Sequence, residues 1–228
     1  MPKMYILGCS HAAGAELDGD GTATSYNLKN SFAAQFANLL EYDAVNLAEP
    51  GGSNDGIFRK FMDIIADRNF NKTDDIIFAS WTGYHRTEVF HIAEDRFVQM
   101  SMGTYNFKSK ELQQAHDIFM KMWCSHDDIG NYNKLKNVLA VDSISKSYGI
   151  EVIHHETFAK LGESIKLSLM ENDFSEKMNV NWINEGDCFM DWVEERKYKK
   201  TPAWHYELQA HKDYAQYLLN RFNIFHEL

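Results

Sequence analysis

The stretch Met4-Tyr5-Ile6-Leu7-Gly8-Cys9-Ser10-His11-Ala12-Ala13-Gly14 decides the fold. A run of apolar, β-favouring residues ends abruptly at Gly8, and small residues follow Ser10. This pattern predicts a buried strand, a tight turn and a hydroxyl at the C-terminal end of the strand. Ligands bind at that end of the strands in open α/β sheets. Ser10 is therefore a candidate nucleophile, and the alternative is that it only caps the segment that follows it.

Strands and helices alternate along the rest of the chain. The predicted strands cover residues 5–7, 42–47, 74–80 and 149–154, and the predicted helices cover 28–40, 53–68, 111–123, 133–148 and 207–222. This alternation favours a doubly wound sheet, in which right-handed crossovers bring the turns after the strands to one edge. We therefore predict a flavodoxin-like doubly wound parallel sheet with helices on both faces, a three-layer α/β/α architecture. A single domain spans 1–228, with insertions near 90–125 and 156–203.

The composition excludes several classes of partner. The chain has 228 residues, of which 44% are hydrophobic, so it has enough material for a large core. The net charge of −10 argues against a nucleic-acid backbone or an anionic membrane as the main partner, because the summed field repels both. Three lysines, Lys197, Lys199 and Lys200, form a local basic patch that we interpret as solvated surface.

The cysteines and the hydropathy pattern bear on the cellular compartment. Cys9, Cys124 and Cys188 are odd in number and widely spaced, which favours neither a disulfide framework nor a zinc site. The sequence has no signal-peptide pattern and no run of 18 apolar residues. We therefore expect a soluble protein in a reduced, cytoplasmic setting.

One histidine lies in a position suited to act as a base. The stretch Pro202-Ala203-Trp204-His205-Tyr206 places His205 in a loop directly before the last predicted helix, within reach of the ligand edge of the sheet. A serine nucleophile needs such a base, together with donors aimed at the developing oxyanion. The pair Ser10 and His205 is thus a candidate catalytic pair.

Three sequence blocks resemble those of the SGNH (GDSL-type) hydrolases, and the resemblance spans nearly the whole chain. The blocks are Gly8-Cys9-Ser10, Asn46 with Gly51 and then Ser53-Asn54, and His205 with Ala210-His211. The resemblance implies a serine esterase that hydrolyses a small acyl ester, such as an acetyl group on a carbohydrate, without a cofactor. It implies that Ser10 is the nucleophile, that His205 is the base and that the amide of Gly51 binds the oxyanion.

The second block is also similar to that of small phage-encoded members of the family. Its pattern is Asn-Leu-Ala-x-Pro-Gly-Gly-Ser-Asn over residues 46–54. This similarity implies a cytoplasmic protein or, if the chain is encoded by a phage, a virion-associated one.

The chain departs from the family pattern at three points. Cys9 stands where the family has Asp in its first block. The third block, Gly-x-Asn-Asp, is replaced by Ser-Trp-Thr-Gly-Tyr-His-Arg over residues 80–86, so the usual oxyanion Asn is absent. Candidate oxyanion or substrate-binding residues in its place are Asn54, Thr82 and Tyr84.

The acid of the triad is the third departure. The family's acid, three residues before the catalytic histidine, falls on Pro202. A Ser-His dyad is one interpretation. In the others, His205 is oriented by Asp187, by Asp191 or by a backbone carbonyl.

Two further residues follow the third strand. Arg86 is a candidate for binding a substrate carboxylate or phosphate, and the alternative is a structural ion pair with Glu88. Trp81 is interpreted as core or pocket wall. Three histidines, His85, His154 and His155, lack the carboxylate–His spacing of a zinc site, so we predict no metal.

Three functional hypotheses result. The first is hydrolysis of a small acyl ester by Ser10 and His205. The second is a binding or virion-associated module of the same fold that has lost its acid and its oxyanion Asn. A nucleotide-binding protein is disfavoured, because no Walker A pattern follows the first strand and the spacing from Gly8 to Gly14 is not a dinucleotide fingerprint.

Overall fold

A parallel sheet of four strands lies at the centre of the fold. The computed structural model describes residues 1–102, 107–123, 127–158, 180, 182–184 and 187–226. Its strands are β1 (Lys3–Leu7), β2 (Asp43–Asn46), β3 (Ile76–Trp81), β4 (Arg86–His91), β5 (Arg96–Ser101) and β6 (Val152–Glu156). Its helices are α1 (Ser10–Ala13), α2 (Ser25–Asn30), α3 (Phe32–Leu39), α4 (Asn54–Ala66), α5 (Lys110–Met122), α6 (Asp127–Tyr148), α7 (Phe189–Glu195) and α8 (Leu208–His226). The sheet has the order β2-β1-β3-β6.

Alternate residues of the central strands face opposite helical layers. Met4 and Ile6 of β1 pack into one hydrophobic cluster with α3, α7 and α8. Tyr5 and Leu7 pack into the other cluster, with α4 and α6. Because side chains alternate along a strand, both faces of β1 are apolar and both are covered. The predicted α/β fold, with helices on both faces of a parallel sheet, is confirmed.

The register of the strands brings their C-terminal ends to one edge. Tyr5 pairs with Val45 of β2 and with Ile77 of β3, and Ile77 pairs with Val152 of β6, in each case in parallel. The turns that follow β1, β2 and β3 therefore lie close together.

The predicted helix over 28–40 is wrong in one respect, because the chain forms two helices there. The backbone of Ser31 is extended, with φ −62° and ψ 155°, and it separates α2 from α3. The Ser31 hydroxyl accepts a hydrogen bond from the amide of Ala34 at 3.2 Å and so caps α3. The cap interrupts a run of apolar positions that otherwise has a helical period.

The insertion near 90–125 contains a hairpin that the sequence did not predict. Strands β4 and β5 pair in an antiparallel way from Arg86 opposite Ser101 to His91 opposite Arg96. Helix α5 follows them, close to the predicted 111–123. Residues 103–106, 124–126, 159–179, 181 and 185–186 lie outside the described part, and much of the predicted insertion 156–203 is among them.

A polar network lies in the core beneath the ligand edge. His155 of β6 is hydrogen-bonded through Nδ1 to the Ser80 hydroxyl (2.9 Å) and through Nε2 to the Tyr214 hydroxyl (2.8 Å). All three residues are fully buried, so this serine–histidine contact is a structural one. Within the described ranges, no helix is both long and apolar enough to cross a membrane.

Candidate active site

Ser10 is the first residue of helix α1, directly after the turn that ends β1, and it is 7% exposed. The turn depends on Gly8. A Cβ at this position would lie 2.7 Å from Cβ of Ala12 and 3.0 Å from Cβ of Ser80, so a larger residue does not fit. This close packing of β1, α1 and β3 fixes the position of Ser10.

A second glycine turn, at Gly51 and Gly52, packs against the residues before Ser10. Gly51 has φ +76°, a left-handed conformation that favours glycine. A Cβ on Gly52 would lie 2.6 Å from the carbonyl oxygen of Gly8 and 3.4 Å from Cα of Cys9. The second block of the sequence is therefore brought against the first.

The backbone amides of Ser10 and Gly51 are available as donors. Ser10 begins a helix, so its N–H has no acceptor within that helix. The Gly51 N–H makes no hydrogen bond to the part of the chain that the structure describes. Two amides without intramolecular partners thus border the turn that carries Ser10.

Asn46 holds this arrangement together from the end of β2. Its amide nitrogen lies within hydrogen-bonding distance of the carbonyls of Ala12 (2.9 Å) and Leu28 (3.0 Å) and of the Ser31 hydroxyl (3.0 Å). Its oxygen accepts from the amide of Ala48 at 3.0 Å. Asn46 therefore ties α1 and α2 to the start of the glycine turn.

The partner of His205 is Glu16. The Nδ1 atom of His205 lies 2.9 Å from Oε2 of Glu16, and the two side chains are 14% and 9% exposed. The Glu16 carboxylate also accepts hydrogen bonds from the hydroxyl of Thr201 and from the amide of Ala203, the latter at 3.1 Å. Glu16 therefore binds both the histidine and the loop that carries it.

The loop itself is a closed turn. The amide of Thr201 donates to the carbonyl of His205 at 2.9 Å, and the Thr201 hydroxyl accepts from the amide of His205 at 3.1 Å. Trp204 has φ +70° and Glu16 has φ +68°, both in the left-handed region that side chains other than glycine rarely adopt. Backbone strain of this kind persists only where the surroundings enforce it, and it is concentrated at functional sites.

The electrostatics of the pair favour an ionised carboxylate. Burial raises the pKa of Glu16, but hydrogen bonds from Thr201, His205 and Ala203 outweigh it, and the net pKa is below the ordinary value. An ionised Glu16 accepts the Nδ1–H of His205, which leaves the Nε2 lone pair of a neutral imidazole free to act as a base.

The sequence missed Glu16, and it placed the candidate acids elsewhere. Asp187 accepts instead from the Tyr217 hydroxyl at 3.3 Å, and neither Asp187 nor Asp191 contacts His205. The one signal in the sequence was the closeness of Glu16 to Ser10, since the two lie six residues apart on the same turn-rich stretch.

A second histidine, His11, lies between Ser10 and His205. The centres of the His11 and His205 rings are 4.9 Å apart, and the His11 ring also lies 5.2 Å from the ring of Phe158. Burial first, and then the charges of His205, His211 and Arg86, hold the pKa of His11 well below its ordinary value. His11 is therefore a neutral, aromatic wall next to the candidate nucleophile.

The hydroxyl of Ser10 makes no hydrogen bond to any residue in the described ranges. The side-chain hydrogen bond that His205 does make is the one to Glu16. The structure thus brings His205 to the residue next to Ser10, with no direct hydrogen bond between the serine and the histidine.

Asn54 and Thr82 form a reciprocal pair. The Asn54 side chain accepts from the amide of Thr82 at 2.9 Å and donates to the carbonyl of Thr82 at 3.2 Å. Both residues are buried, and the Thr82 hydroxyl has no hydrogen-bond partner in the described part of the chain. Asn54 joins the start of α4 to the end of β3.

Tyr84 and Trp81 are held by the core. The carbonyl of Tyr84 accepts from the indole of Trp123 at 3.4 Å, and the backbone of Tyr84 packs against Gly130 of α6. Trp81 is fully buried, and its indole donates to Nδ1 of His154 at 3.0 Å. The Trp81 ring therefore belongs to the core and not to an exposed pocket surface.

Arg86 does not pair with Glu88, which corrects one of the two interpretations of this residue. Glu88 instead binds Arg59 through both carboxylate oxygens, at 2.8 and 3.0 Å. Nη1 of Arg86 donates to the carbonyl of Gly52 at 3.3 Å, and its Cζ lies 5.1 Å from the centre of the Phe158 ring. The guanidinium is thus placed at the glycine turn beside Ser10.

Sequence reasoning also missed a buried ion pair at the same edge of the sheet. Nζ of Lys134 on α6 lies 2.6 Å from Oε2 of Glu156, the last residue of β6, and the two side chains are 2% and 6% exposed. Burial raises the pKa of Glu156 to about 7, and Lys134 opposes this rise. The side chain of Asn184 binds the backbone of Glu156 on both sides, at 2.9 and 2.8 Å.

No group of three or more His, Cys, Asp or Glu side chains in the described ranges is arranged to hold a metal ion. Cys9 and Cys188 are free thiols in the core, and burial raises the pKa of Cys188 to about 12.

Comparisons with known proteins give one structural neighbour. No family model matches the chain, and no curated protein matches it. Among solved structures, the chain is similar to an acetyl xylan esterase (Est2A) from the rumen bacterium Butyrivibrio proteoclasticus, with a TM-score of 0.43 and 11% sequence identity. The match covers 97% of this chain and 64% of that one, so this chain spans less than two thirds of the esterase's length.

Proposed function

We propose that this chain is a serine esterase of the SGNH type, with Ser10 as nucleophile, His205 as base and Glu16 as acid. The observation that carries the proposal is the hydrogen bond of 2.9 Å between Glu16 and Nδ1 of His205. A carboxylate on Nδ1 is the arrangement that makes a histidine a base at Nε2. The histidine so prepared packs against the residue that follows Ser10.

The reaction proceeds in two steps. In the first, Oγ of Ser10 attacks the ester carbonyl carbon while Nε2 of His205 takes the hydroxyl proton. The amides of Ser10 and Gly51 bind the oxyanion of the tetrahedral intermediate. The intermediate collapses, the C–O bond to the alcohol breaks, and His205 gives its proton to the leaving alcohol.

In the second step, His205 takes a proton from water, and the hydroxide attacks the acyl group on Ser10. The second tetrahedral intermediate expels Oγ of Ser10, which regains its proton from His205. Throughout, the Glu16 carboxylate remains ionised and stabilises the imidazolium. Its lowered pKa is consistent with that role.

The acyl group in this proposal is small, acetyl in the simplest case. Ser10 is only 7% exposed, and the buried ring of His11 stands beside it, so a long acyl chain has little access. The alcohol is proposed to be a carbohydrate, as the resemblance to SGNH hydrolases implies.

One observation favours the second candidate, a binding module of the same fold that does not hydrolyse its ligand. In the described part of the chain, Ser10 and His205 share no hydrogen bond. Catalytic hydrogen bonds are often long or poorly aligned without substrate, so the two candidates require a chemical test.

Labelling by a fluorophosphonate probe separates the two candidates. We expect wild-type protein to be labelled and to hydrolyse p-nitrophenyl acetate, and we expect Ser10→Ala and His205→Ala to do neither. Ser147→Ala removes an exposed hydroxyl on α6 and serves as the matched control that keeps both activities. Absence of labelling and of turnover in folded wild-type protein would overturn the proposal and favour the binding module.

A further inference from the structure

The guanidinium of Arg86 carries a positive charge without a carboxylate partner in the described ranges. Its contacts there are the carbonyl of Gly52, 3.3 Å from Nη1, and the ring of Phe158, 5.1 Å from Cζ. Arg86 is only partly exposed, so water does not fully replace a partner. A guanidinium has five N–H donors, and the bond to Gly52 uses one of them.

Other arginines of the chain are differently placed. Three of them lie within 4.0 Å of a carboxylate, namely Arg59 with Glu88, Arg96 with Glu94 and Arg196 with Glu195. The carboxylate nearest to Arg86 along β4 is Glu88, and both of its oxygens bind Arg59, while Gln99 donates to one of them at 3.1 Å. Glu88 is therefore not available to neutralise Arg86.

The position of Arg86 is the second part of the argument. The carbonyl that it binds belongs to Gly52, and Gly52 packs directly against Gly8 and Cys9, the residues before Ser10. The ring beneath it, Phe158, also contacts His11, the residue after Ser10. The unpaired cation thus lies between two elements that flank the candidate nucleophile on either side.

We propose that Arg86 is a carboxylate-binding subsite, and that the ester hydrolysed at Ser10 carries a carboxylate group. This inference rests on the proposed esterase function. The guanidinium fork matches a planar carboxylate and can bind both of its oxygens, an arrangement that a lysine or a neutral amide cannot reproduce. Because the chain carries a net charge of −10, a negatively charged substrate needs such a local cation to bind.

The kinetic test compares pairs of esters that differ by one carboxylate. p-Nitrophenyl hemisuccinate against p-nitrophenyl acetate tests a carboxylate on the acyl side. An acetylated uronic acid against the acetylated neutral sugar tests one on the alcohol side. We expect wild-type protein to prefer the anionic member of one pair in kcat/KM, and Arg86→Gln to reduce that preference about 10- to 100-fold.

A purely structural role of Arg86 predicts a different result. If Arg86 only holds the Gly51–Gly52 turn, Arg86→Gln lowers kcat/KM for the anionic and the neutral ester by the same factor. Arg86→Lys keeps the charge and is expected to retain part of the preference. Arg196→Gln is the matched control, because Arg196 is also an arginine stacked on an aromatic ring, 4.2 Å from the centre of Trp192.

A binding measurement separates this proposal from the esterase proposal. We expect succinate, or the free uronic acid, to bind Ser10→Ala protein in isothermal titration calorimetry and to bind at least 10-fold more weakly once Arg86→Gln is added. That result without any ester hydrolysis by wild type would leave the subsite standing and remove the esterase. Hydrolysis with no preference between paired esters, or equal binding with and without Arg86, would overturn the subsite.

Discussion

The carboxylate of Glu16 and the Nδ1 atom of His205 are 2.9 Å apart, although 189 positions separate them in the chain. Glu16 also receives the hydroxyl of Thr201 and the amide of Ala203, so it fixes the backbone of the histidine loop as well as the imidazole. This pair fills the place of the acid that the sequence pattern left on Pro202.

Substitution of Glu16 by Gln tests its role as the acid. The Gln amide no longer stabilises an imidazolium and does not select the Nδ1–H tautomer. We therefore expect kcat for p-nitrophenyl acetate to fall about 10²- to 10⁴-fold, with KM little changed. Glu195→Gln, on an exposed carboxylate of α7, is the control and should behave as wild type. A Glu16→Gln variant with wild-type kcat would mean that a Ser10–His205 dyad acts alone.

Substitution of Gly52 by Ala tests the packing of the glycine turn. The added Cβ would lie 2.6 Å from the carbonyl oxygen of Gly8, which requires the turn and strand β1 to separate. We expect a loss of about 1–3 kcal/mol in the free energy of unfolding, measured with urea. Gly21→Ala is the control, since a Cβ there meets no atom within 4 Å. Equal stability of the two variants would contradict the packing described here.

Acid should destabilise the protein through its buried histidines. Burial lowers the pKa of His154, His155 and His211 to about 3, while unfolded histidine titrates near 6.5. The unfolded chain therefore binds more protons between pH 6.5 and 3, and stability falls as the pH falls, by at most about 1.4 kcal/mol per pH unit for each histidine. Glu156, whose pKa is raised to about 7, acts in the opposite direction between pH 7 and 4.5.

His154→Gln isolates one of these contributions. His154 accepts from the indole of Trp81, and its Nε2 is 4.0 Å from Asp142, a distance beyond a hydrogen bond. Lys146, like burial, lowers its pKa. Urea unfolding from pH 7 to pH 5 should show a shallower pH dependence for His154→Gln than for wild type. An unchanged slope would show that His154 is protonated in the folded protein.

The buried pair of Lys134 and Glu156 should be sensitive to removal of one partner. Lys134→Met leaves a buried carboxylate without its cation, which costs about 3–5 kcal/mol in similar pairs. The cost should be smaller at pH 6 than at pH 8, because the pKa of Glu156, already raised to about 7, rises further and the carboxyl becomes protonated.

Two further variants complete this test. The double variant Lys134→Met with Glu156→Leu should recover most of the lost stability, since no buried charge remains. Lys136→Met removes a lysine from the exposed side of the same helix and should change little. If the single Lys134→Met variant were as stable as the Lys136→Met variant at pH 8, the pair would contribute nothing.

The sheet and its ligand edge could be predicted because the strands are buried on both faces. The run Ile76-Ile77-Phe78-Ala79 is continuously apolar for that reason, and the turn residues Gly8 and Gly51 mark where strands end. The hairpin β4–β5 could not be predicted in the same way. Its residues are mostly half-exposed on both faces, so no period of two appears in the sequence.

The acid could not be predicted because its position follows from tertiary contacts alone. Glu16 lies in a stretch rich in Gly and Asp, without hydrophobic periodicity, and its conformation is left-handed. Nothing local tells it apart from Asp18 or Asp20. The contact that assigns it comes from the turn Thr201–His205, which is far away along the chain.

The arrangement of Ser10 and Glu16 on one short excursion after β1 has a consequence for biosynthesis. In the proposed enzyme, the nucleophile and the acid emerge from the ribosome together, and the base is translated 189 residues after the acid. A nascent chain that already holds Ser10 and Glu16 in place therefore has no catalytic base. Activity begins only when the turn at His205 docks on Glu16, so one late contact switches on a site whose other parts are formed early.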